Sequence, residues 1–341
     1  MIEKIIKEKD RIILGDFTSY SLEVIQNNLA DLNCKILGGW NFQNQKNNNI
    51  VVDDYLFFDS ITDIKEKLIN EKPNTAVIFM KSEILDDIGE FIKLEMAEKV
   101  IEEIANLKMI ETIEKLIFIS FNIDVLTVRR LYKELFGTKI TPYFITGFHA
   151  AYLGANPDAI TWNQLEIDSD LDRELQDEHI CNGKFLDVGT GSGRQAICLY
   201  KRGFDVTGID IVPYAFSGAK INEPGIRFLE DDILHTKLTD TYDYIFDRGC
   251  FHSIKPSERI LYFEQINKLL KMNGLLFMKC RSTDISREPT GYHNAMPYCL
   301  SEDMYIPEEH FRVKKVRAAD YLSSTNSSLF NALFFVIEKY R

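Results

Sequence analysis

The run Phe185-Leu186-Asp187-Val188-Gly189-Thr190-Gly191-Ser192-Gly193-Arg194 carries the densest chemistry in this chain of 341 residues. An apolar stretch ends near an acid, and a glycine-dense turn then opens into the helical pattern Gln195-Ala196-Ile197-Cys198-Leu199-Tyr200. Such a strand–turn–helix lets a nucleotide-like ligand lie close to the backbone at the start of the helix. The spacing is G-x-G-x-G, with glycines at 189, 191 and 193. A dinucleotide fingerprint would need its third glycine at 194, where arginine stands. Asp187, two positions before the first glycine, would repel a pyrophosphate. It suits a cationic, phosphate-free ligand with an ammonium group, such as S-adenosylmethionine.

Further acids follow at the ends of apolar runs. Phe204–Ile211 reads as a second strand ending at Asp210 and Ile211, about twenty residues on, where a carboxylate can grip ribose hydroxyls. Ile226–Ile233 reads as a third strand. Its Asp232 can accept from an adenine amino group, and Ile233 can pack on the ring. Tyr242–Asp247 is a fourth, with Asp247 at its end. Strand ends of an open α/β sheet meet at one crevice, which is where ligands bind. His252 follows five residues after Asp247 and is expected over that crevice, where a general base and a helix-capping histidine both fit. For Asp247 and Arg248 a role at the site stands beside a plain pairing with each other, and for Cys250 a nucleophile beside a small wall residue.

On these residues the chain resembles the class I S-adenosylmethionine-dependent methyltransferases, and most nearly their thiopurine S-methyltransferase and tellurite-resistance-type branch. The segment from Phe246-Asp247-Arg248-Gly249 through Lys255-Pro256 and Glu258-Arg259 carries the likeness. Tyr262, the Leu269-Leu270-Lys271-Met272-Asn273-Gly274 turn into Leu275–Met278, and the upstream Trp162 complete it. It covers residues 160–341. The resemblance implies a Rossmann-like sheet of seven strands, closed by an antiparallel pair at 311–318 and 332–339. It also implies transfer of the sulfonium methyl to a small molecule, with Asp247 and His252 at the reacting end. Asp187, Gly189, Gly191, Gly193, Asp210, Ile211, Asp232, Ile233 and Asp247 are the expected cofactor contacts. The resemblance of the Asp247–His252 turn to enzymes acting on small thiols implies a thiol acceptor, slightly preferred over an amine or hydroxyl, and a soft nucleophile would need little base. Two rival readings are a non-catalytic S-adenosylmethionine-binding or interaction protein and a nicotinamide oxidoreductase.

Residues 1–150 must form something separate. Apolar runs at 11–14, 34–37, 50–58, 76–80 and 116–121 read as strands, and 21–32, 61–69, 82–108 and 125–136 as helices. That alternation predicts a second Rossmann-like α/β domain, without a glycine fingerprint or P-loop, that shapes the acceptor pocket or mediates dimerisation. The asparagine-rich segment 41–49 reads as an exposed loop, and 141–160, with two prolines and two glycines, as the connector to the methyltransferase domain at 151–341. The mixed, aromatic stretch Arg281–Tyr305 reads as a lid or an ordinary loop.

Composition narrows the partners. Net charge is −12, with 45% hydrophobic and 27% charged residues and no basic block. This argues against nucleic acid and anionic membrane as partners. The first residues interleave charge with isoleucine and offer no signal-peptide core, and no apolar run is long enough to span a bilayer. Six cysteines without a C-x-x-C pair read as free thiols in a reducing cytoplasm. None of the six histidines is spaced as a metal pair, so no metal is expected.

Overall fold

The computed structural model describes residues 6–7, 9–15, 34–40, 56–58, 71–79, 112–120, 141–154, 160, 162–283, 304–322 and 328–341. The helices expected at 21–32, 61–69, 82–108 and 125–136, the loop at 41–49 and most of the expected lid (284–303) lie outside these residues. The chain divides into two compact units, 1–86 with 90–156, and 157–341 with 87–89.

The first unit holds six strands: β1 (Arg11–Gly15), β2 (Lys35–Trp40), β3 (Leu56–Phe58), β4 (Thr75–Phe79), β5 (Lys115–Ser120) and β6 (Thr141–Thr146). They form one sheet in the order β3-β2-β1-β4-β5-β6, and every recorded pairing is parallel. Ile12, Ile13 and Leu14 of β1 and Ala76, Val77 and Ile78 of β4 are all buried. Consecutive buried apolar residues, rather than alternating ones, are what a parallel sheet covered on both faces requires. At the N-terminal ends of these strands Asp10, only 4% exposed, takes an ion pair from Lys115 and hydrogen bonds from the Asn74 side chain and the Lys7 N–H.

One expectation needs correcting here. Residues 141–154 are not a connector: they form β6 and helix α1 (Gly147–Gly154). Pro142 and Gly147 suggested a linker, but β6 is the edge strand, where a proline costs no ladder hydrogen bond. Gly147, at φ +62°, marks the strand-to-helix turn.

The second unit opens with α2 (Ser169–Asp177) and builds a seven-stranded sheet. Its strands are β7 (Lys184–Val188), β8 (Asp205–Asp210), β9 (Arg227–Glu230), β10 (Tyr242–Arg248), β11 (Leu270–Arg281), β12 (Phe311–Leu322) and β13 (Ser328–Lys339). Helices α3 (Arg194–Lys201), α4 (Ser217–Asn222) and α5 (Arg259–Leu269) follow β7, β8 and β10. The order is β12-β13-β11-β10-β7-β8-β9, with β13 antiparallel to both neighbours and the other pairs parallel. One apolar cluster, with Leu186, Ile245, Phe263 and Met278, covers one face. A second, with Phe185, Leu199, Phe246 and Phe277, covers the other. Strand order reverses between β7 and β10, so the crevice of this sheet opens at their C-terminal ends.

Candidate functional site

The glycine turn leaves β7 and enters α3 through three residues with positive φ: Gly189 at +68°, Gly191 at +54° and Gly193 at +78°. L side chains are strained there, so the G-x-G-x-G spacing is a backbone requirement. A Cβ on Gly193 would also stand 2.7 Å from the Phe228 ring, and one on Gly189 2.8 Å from Cys250 Cβ. The turn is pinned from below. The Thr190 N–H donates to Ile209 O at 2.9 Å, its hydroxyl to Asp187 at 2.6 Å, and the Gly191 N–H to Asp210 at 2.8 Å.

The structure brings the predicted acids to one end of the sheet. Asp187 is 2% exposed, on a strand flanked by β8 and β10. Its pKa is pushed up to about 7, first by burial and then by the nearby charges of Asp247 and Asp210, against the pull of the Thr190 hydroxyl. Asp210, half-buried, accepts from the N–H groups of Gly191 and Val212, and burial raises it to about 6. Asp247 is fully buried and likewise raised to about 6 by burial. Asp187 thus lies in the field of two further carboxyls, an arrangement that suits a cation.

Of the remaining cofactor candidates, Ile211 and Asp232 are exposed and Ile233 is buried. Ile211 is 46% exposed beside the end of β8. Asp232 lies beyond β9, exposed, and caps a short 3-10 turn by accepting from the Leu234 N–H at 2.9 Å. Ile233, beside it, is 5% exposed and belongs to the core.

Asp247 and His252 carry different loads from those the sequence suggested. Asp247 accepts from the N–H groups of Cys250 (2.9 Å) and Phe251 (3.1 Å) and from the Tyr262 hydroxyl (2.8 Å). It holds the turn after β10 in shape. His252 is 1% exposed, and its Nδ1 accepts from the Arg281 N–H at 3.2 Å. Burial, then the guanidiniums of Arg281, Arg248 and Arg259, lowers its pKa to about 3, so the ring is neutral at pH 7. Cys250 is a wall residue against Gly189, and its thiol is raised well above the ordinary value by burial and then by Asp247, which leaves little thiolate.

The expected Asp247–Arg248 pair is not formed. Neighbours on a strand point to opposite faces, and Arg248 turns instead toward Asp168, at 3.1 Å. Its guanidinium also donates to Trp162 O, Gln164 Oε1 and Leu322 O, and lies 4.2 Å from the Tyr321 ring centroid. Gly249, at φ +99°, lets the Tyr321 hydroxyl reach in and donate to Arg248 O at 2.8 Å. Sequence reasoning missed Asp168, Lys279, Tyr321 and Thr190. Lys279 did carry a signal, being a charge inside the otherwise apolar run Leu275–Cys280.

Residues 185–274 match the family model described as a methyltransferase domain. A protein of Geobacillus sp. (strain WCH70), provisionally named a methyltransferase, is 32% identical over 106 residues. The match spans 29% of this chain and 43% of that protein, less than half of its length. Among solved structures, the Burkholderia thailandensis 1,6-didemethyltoxoflavin-N1-methyltransferase with bound S-adenosylhomocysteine is 20% identical, with TM-score 0.41. That match covers 51% of this chain and 78% of the other. TehB from Haemophilus influenzae is 16% identical with TM-score 0.41, over 51% and 63% of the two chains. The family-model match falls on β7 through the start of β11, which contains the glycine turn and the carboxyl cluster. Among the described residues no group of three or more His, Cys, Asp or Glu could hold a metal, and no helix is long and apolar enough to cross a membrane.

Proposed function

We propose that the chain is an enzyme that transfers the methyl group of S-adenosylmethionine to a small-molecule acceptor. One observation carries the reading: a left-handed glycine turn stands against two buried carboxyls, Asp187 and Asp247, and a half-buried one, Asp210, all with raised pKa values. A pyrophosphate would add repulsion to such a site, whereas an ammonium and a sulfonium relieve it. The residues fit this co-substrate in a second way. Ser192 Oγ is buried in the turn without a hydrogen-bond partner among the described residues, a site for a polar ligand atom. Asp210 would hold the ribose, Asp232 and Ile233 the adenine, and Asp187 the ammonium end, with Ile211 as an apolar rim.

S-adenosylmethionine supplies a methyl already activated by its sulfonium, so the chain's own task is to align the acceptor and exclude water. The turn Asp247–His252 forms the adjoining wall. His252, with its pKa near 3, is a very weak base, and Cys250 is protonated. Asp247 is fully buried and already accepts from two N–H groups and the Tyr262 hydroxyl. This favours an acceptor that is nucleophilic without a base, such as a thiol. The negative net charge argues in the same direction, away from polyanionic acceptors. The finer family reading, the thiopurine S-methyltransferase and tellurite-resistance-type branch, rests on the Asp247-Arg248-Gly249 segment. The first unit, with its doubly wound strand order, we read as a Rossmann-like domain that completes the acceptor pocket or pairs two copies of the chain. A sedimentation measurement showing a monomer would exclude pairing.

Calorimetry tests the central claim. S-adenosylmethionine and S-adenosylhomocysteine are expected to bind in the micromolar range, and Asp210→Ala to weaken both by roughly 1.5–3 kcal/mol through loss of charge-assisted hydrogen bonds. Tight NAD binding without S-adenosylmethionine binding would overturn it.

A further inference from the structure

Both walls of the crevice are tied to one short segment, Trp162–Asp168, which precedes α2. On the glycine-turn side, Gln195 of α3, 7% exposed, receives the Asp168 N–H at 2.8 Å and donates to Glu166 O at 2.8 Å. On the other side Arg248, immediately before the turn held by Asp247, donates to Trp162 O, Gln164 Oε1 and the Asp168 carboxylate. Asp168 is 0% exposed. One of its oxygens caps α2 through the N–H groups of Asp170 and Leu171, and the other takes Arg248 and, at 2.7 Å, Lys279 of β11. Lys279 also pairs with Asp170 at 2.7 Å and is itself 0% exposed.

Stability does not explain such an arrangement. Desolvating several charges costs much of what their attraction returns, and apolar replacements of buried ion networks are often neutral or stabilising. Burial alone would raise the Asp168 pKa, yet Lys279 and Arg248 outweigh it and hold the carboxyl below its ordinary value. What the network provides is a fixed geometry: planar, multiply hydrogen-bonded Arg248 admits one placement of the segment.

We propose that Arg248 and Gln195 are positioning residues that use Trp162–Asp168 as a brace, setting the spacing between the glycine turn and the turn after β10. The proposal rests on the methyltransferase reading and extends it, because neither residue touches a reacting atom. Methyl transfer needs the acceptor in line with the carbon–sulfur bond, and a displacement on the order of 1 Å from a distant change can cost about a hundredfold in rate.

The test compares Arg248→Met, Arg248→Lys and the double variant Arg248→Met/Asp168→Asn with the wild type. S-adenosylhomocysteine affinity is read by calorimetry, hydrogen exchange at 162–168, 190–193 and 249–254 by mass spectrometry, and turnover with 4-nitrobenzenethiol. In Arg248→Met, exchange should rise in all three segments, including the glycine turn that Arg248 does not touch, and kcat should fall about tenfold or more with KM for the thiol raised. Arg248→Lys should recover little, since an ammonium cannot replace the fork. The double variant leaves Lys279 paired with Asp170, and the amide oxygen of the asparagine at position 168 to cap α2. It should therefore regain thermal stability but not kcat, which separates positioning from mere support. Folded Arg248→Met protein with wild-type kcat, KM and exchange at 190–193 would overturn the brace while leaving the functional reading intact. A wild type that binds no S-adenosylhomocysteine would overturn that reading, and the brace with it.

Discussion

The two sheets are built on closely similar plans, and among the described residues their clusters of charge lie at opposite ends. Each has its strand order reversing beside a first strand, β1 against β4 in one and β7 against β10 in the other. In the first sheet the buried charges gather at the N-terminal ends, where Asp10, Asn74 and Lys115 bind one another. Among the described residues its strands finish in Gly15, Trp40, Phe58, Phe79, Ser120 and Thr146, while Asp16 and Asp59 come next in sequence after β1 and β3. In the second sheet Asp187, Asp210 and Asp247 stand at the C-terminal ends, around a glycine turn. Topology alone therefore distinguishes nothing: a fold makes the crevice, and the side chains at its mouth decide whether chemistry can occur there.

The largest effect should come from the turn itself. Gly193→Ala places a Cβ at φ +78° and 2.7 Å from the Phe228 ring. Left-handed strain and overpacking together should destabilise the second unit by about 2–4 kcal/mol and abolish S-adenosylhomocysteine binding. Urea unfolding and calorimetry on the same preparation would show it. Unchanged binding would mean that the turn is a tight connection and nothing more.

The matching change in the first sheet should behave differently. Asp10→Ala strands Lys115 and Asn74, so it should destabilise by about 1–2 kcal/mol. Cofactor affinity should stay within twofold of wild type. If affinity falls in step with stability, the polar end of the first sheet is coupled to the site and the contrast between the sheets fails.

A third difference lies in pH dependence. The folded pKa values of Asp187 (about 7), Asp210 and Asp247 (about 6 each) lie above the unfolded carboxylate value of about 3.9. The ligand-free fold then holds more protons than the unfolded chain, so its stability falls as pH rises from about 4 to 7, opposite to an ion-paired carboxylate. A cationic ligand favours the ionised forms. S-adenosylmethionine affinity should accordingly rise about tenfold between pH 5 and 8 and level off above about 8. A flat profile in calorimetric titrations would sink the idea that this cluster receives the cation.

How much of this was legible depends on range. The glycine turn and the acids near the strand ends are local patterns, carried by residue types at short spacing, whereas the antiparallel closing pair follows only from the family resemblance. Asp168 could not: its partners Arg248 and Lys279 lie 80 and 111 residues away, and no periodicity links them. Thr141–Thr146 was misread because proline looks the same in a connector and at a sheet edge until the strand order is known. Asp232 also shows the limit of a strand reading: β9 ends at Glu230, and the acid caps the following turn instead.

His252 should give the smallest effect, and it bears most directly on the acceptor. Its Nδ1 accepts from the Arg281 N–H, and its pKa near 3 leaves it neutral but very weakly basic. A general base at this position would make its loss cost on the order of a hundredfold or more. As a structural acceptor it should be replaceable by asparagine, whose Oδ1 can stand in for Nδ1 and keep the Arg281 N–H paired. His252→Asn should therefore change turnover of 4-nitrobenzenethiol less than about threefold and leave the pH–rate profile in place. Alanine should do worse than asparagine, because it leaves a buried donor unpaired, at about 1–3 kcal/mol of stability. Loss of about a hundredfold in the asparagine variant, with an amine or phenol as the better acceptor in wild type, would return the histidine to the role of base and move the acceptor from sulfur to nitrogen or oxygen.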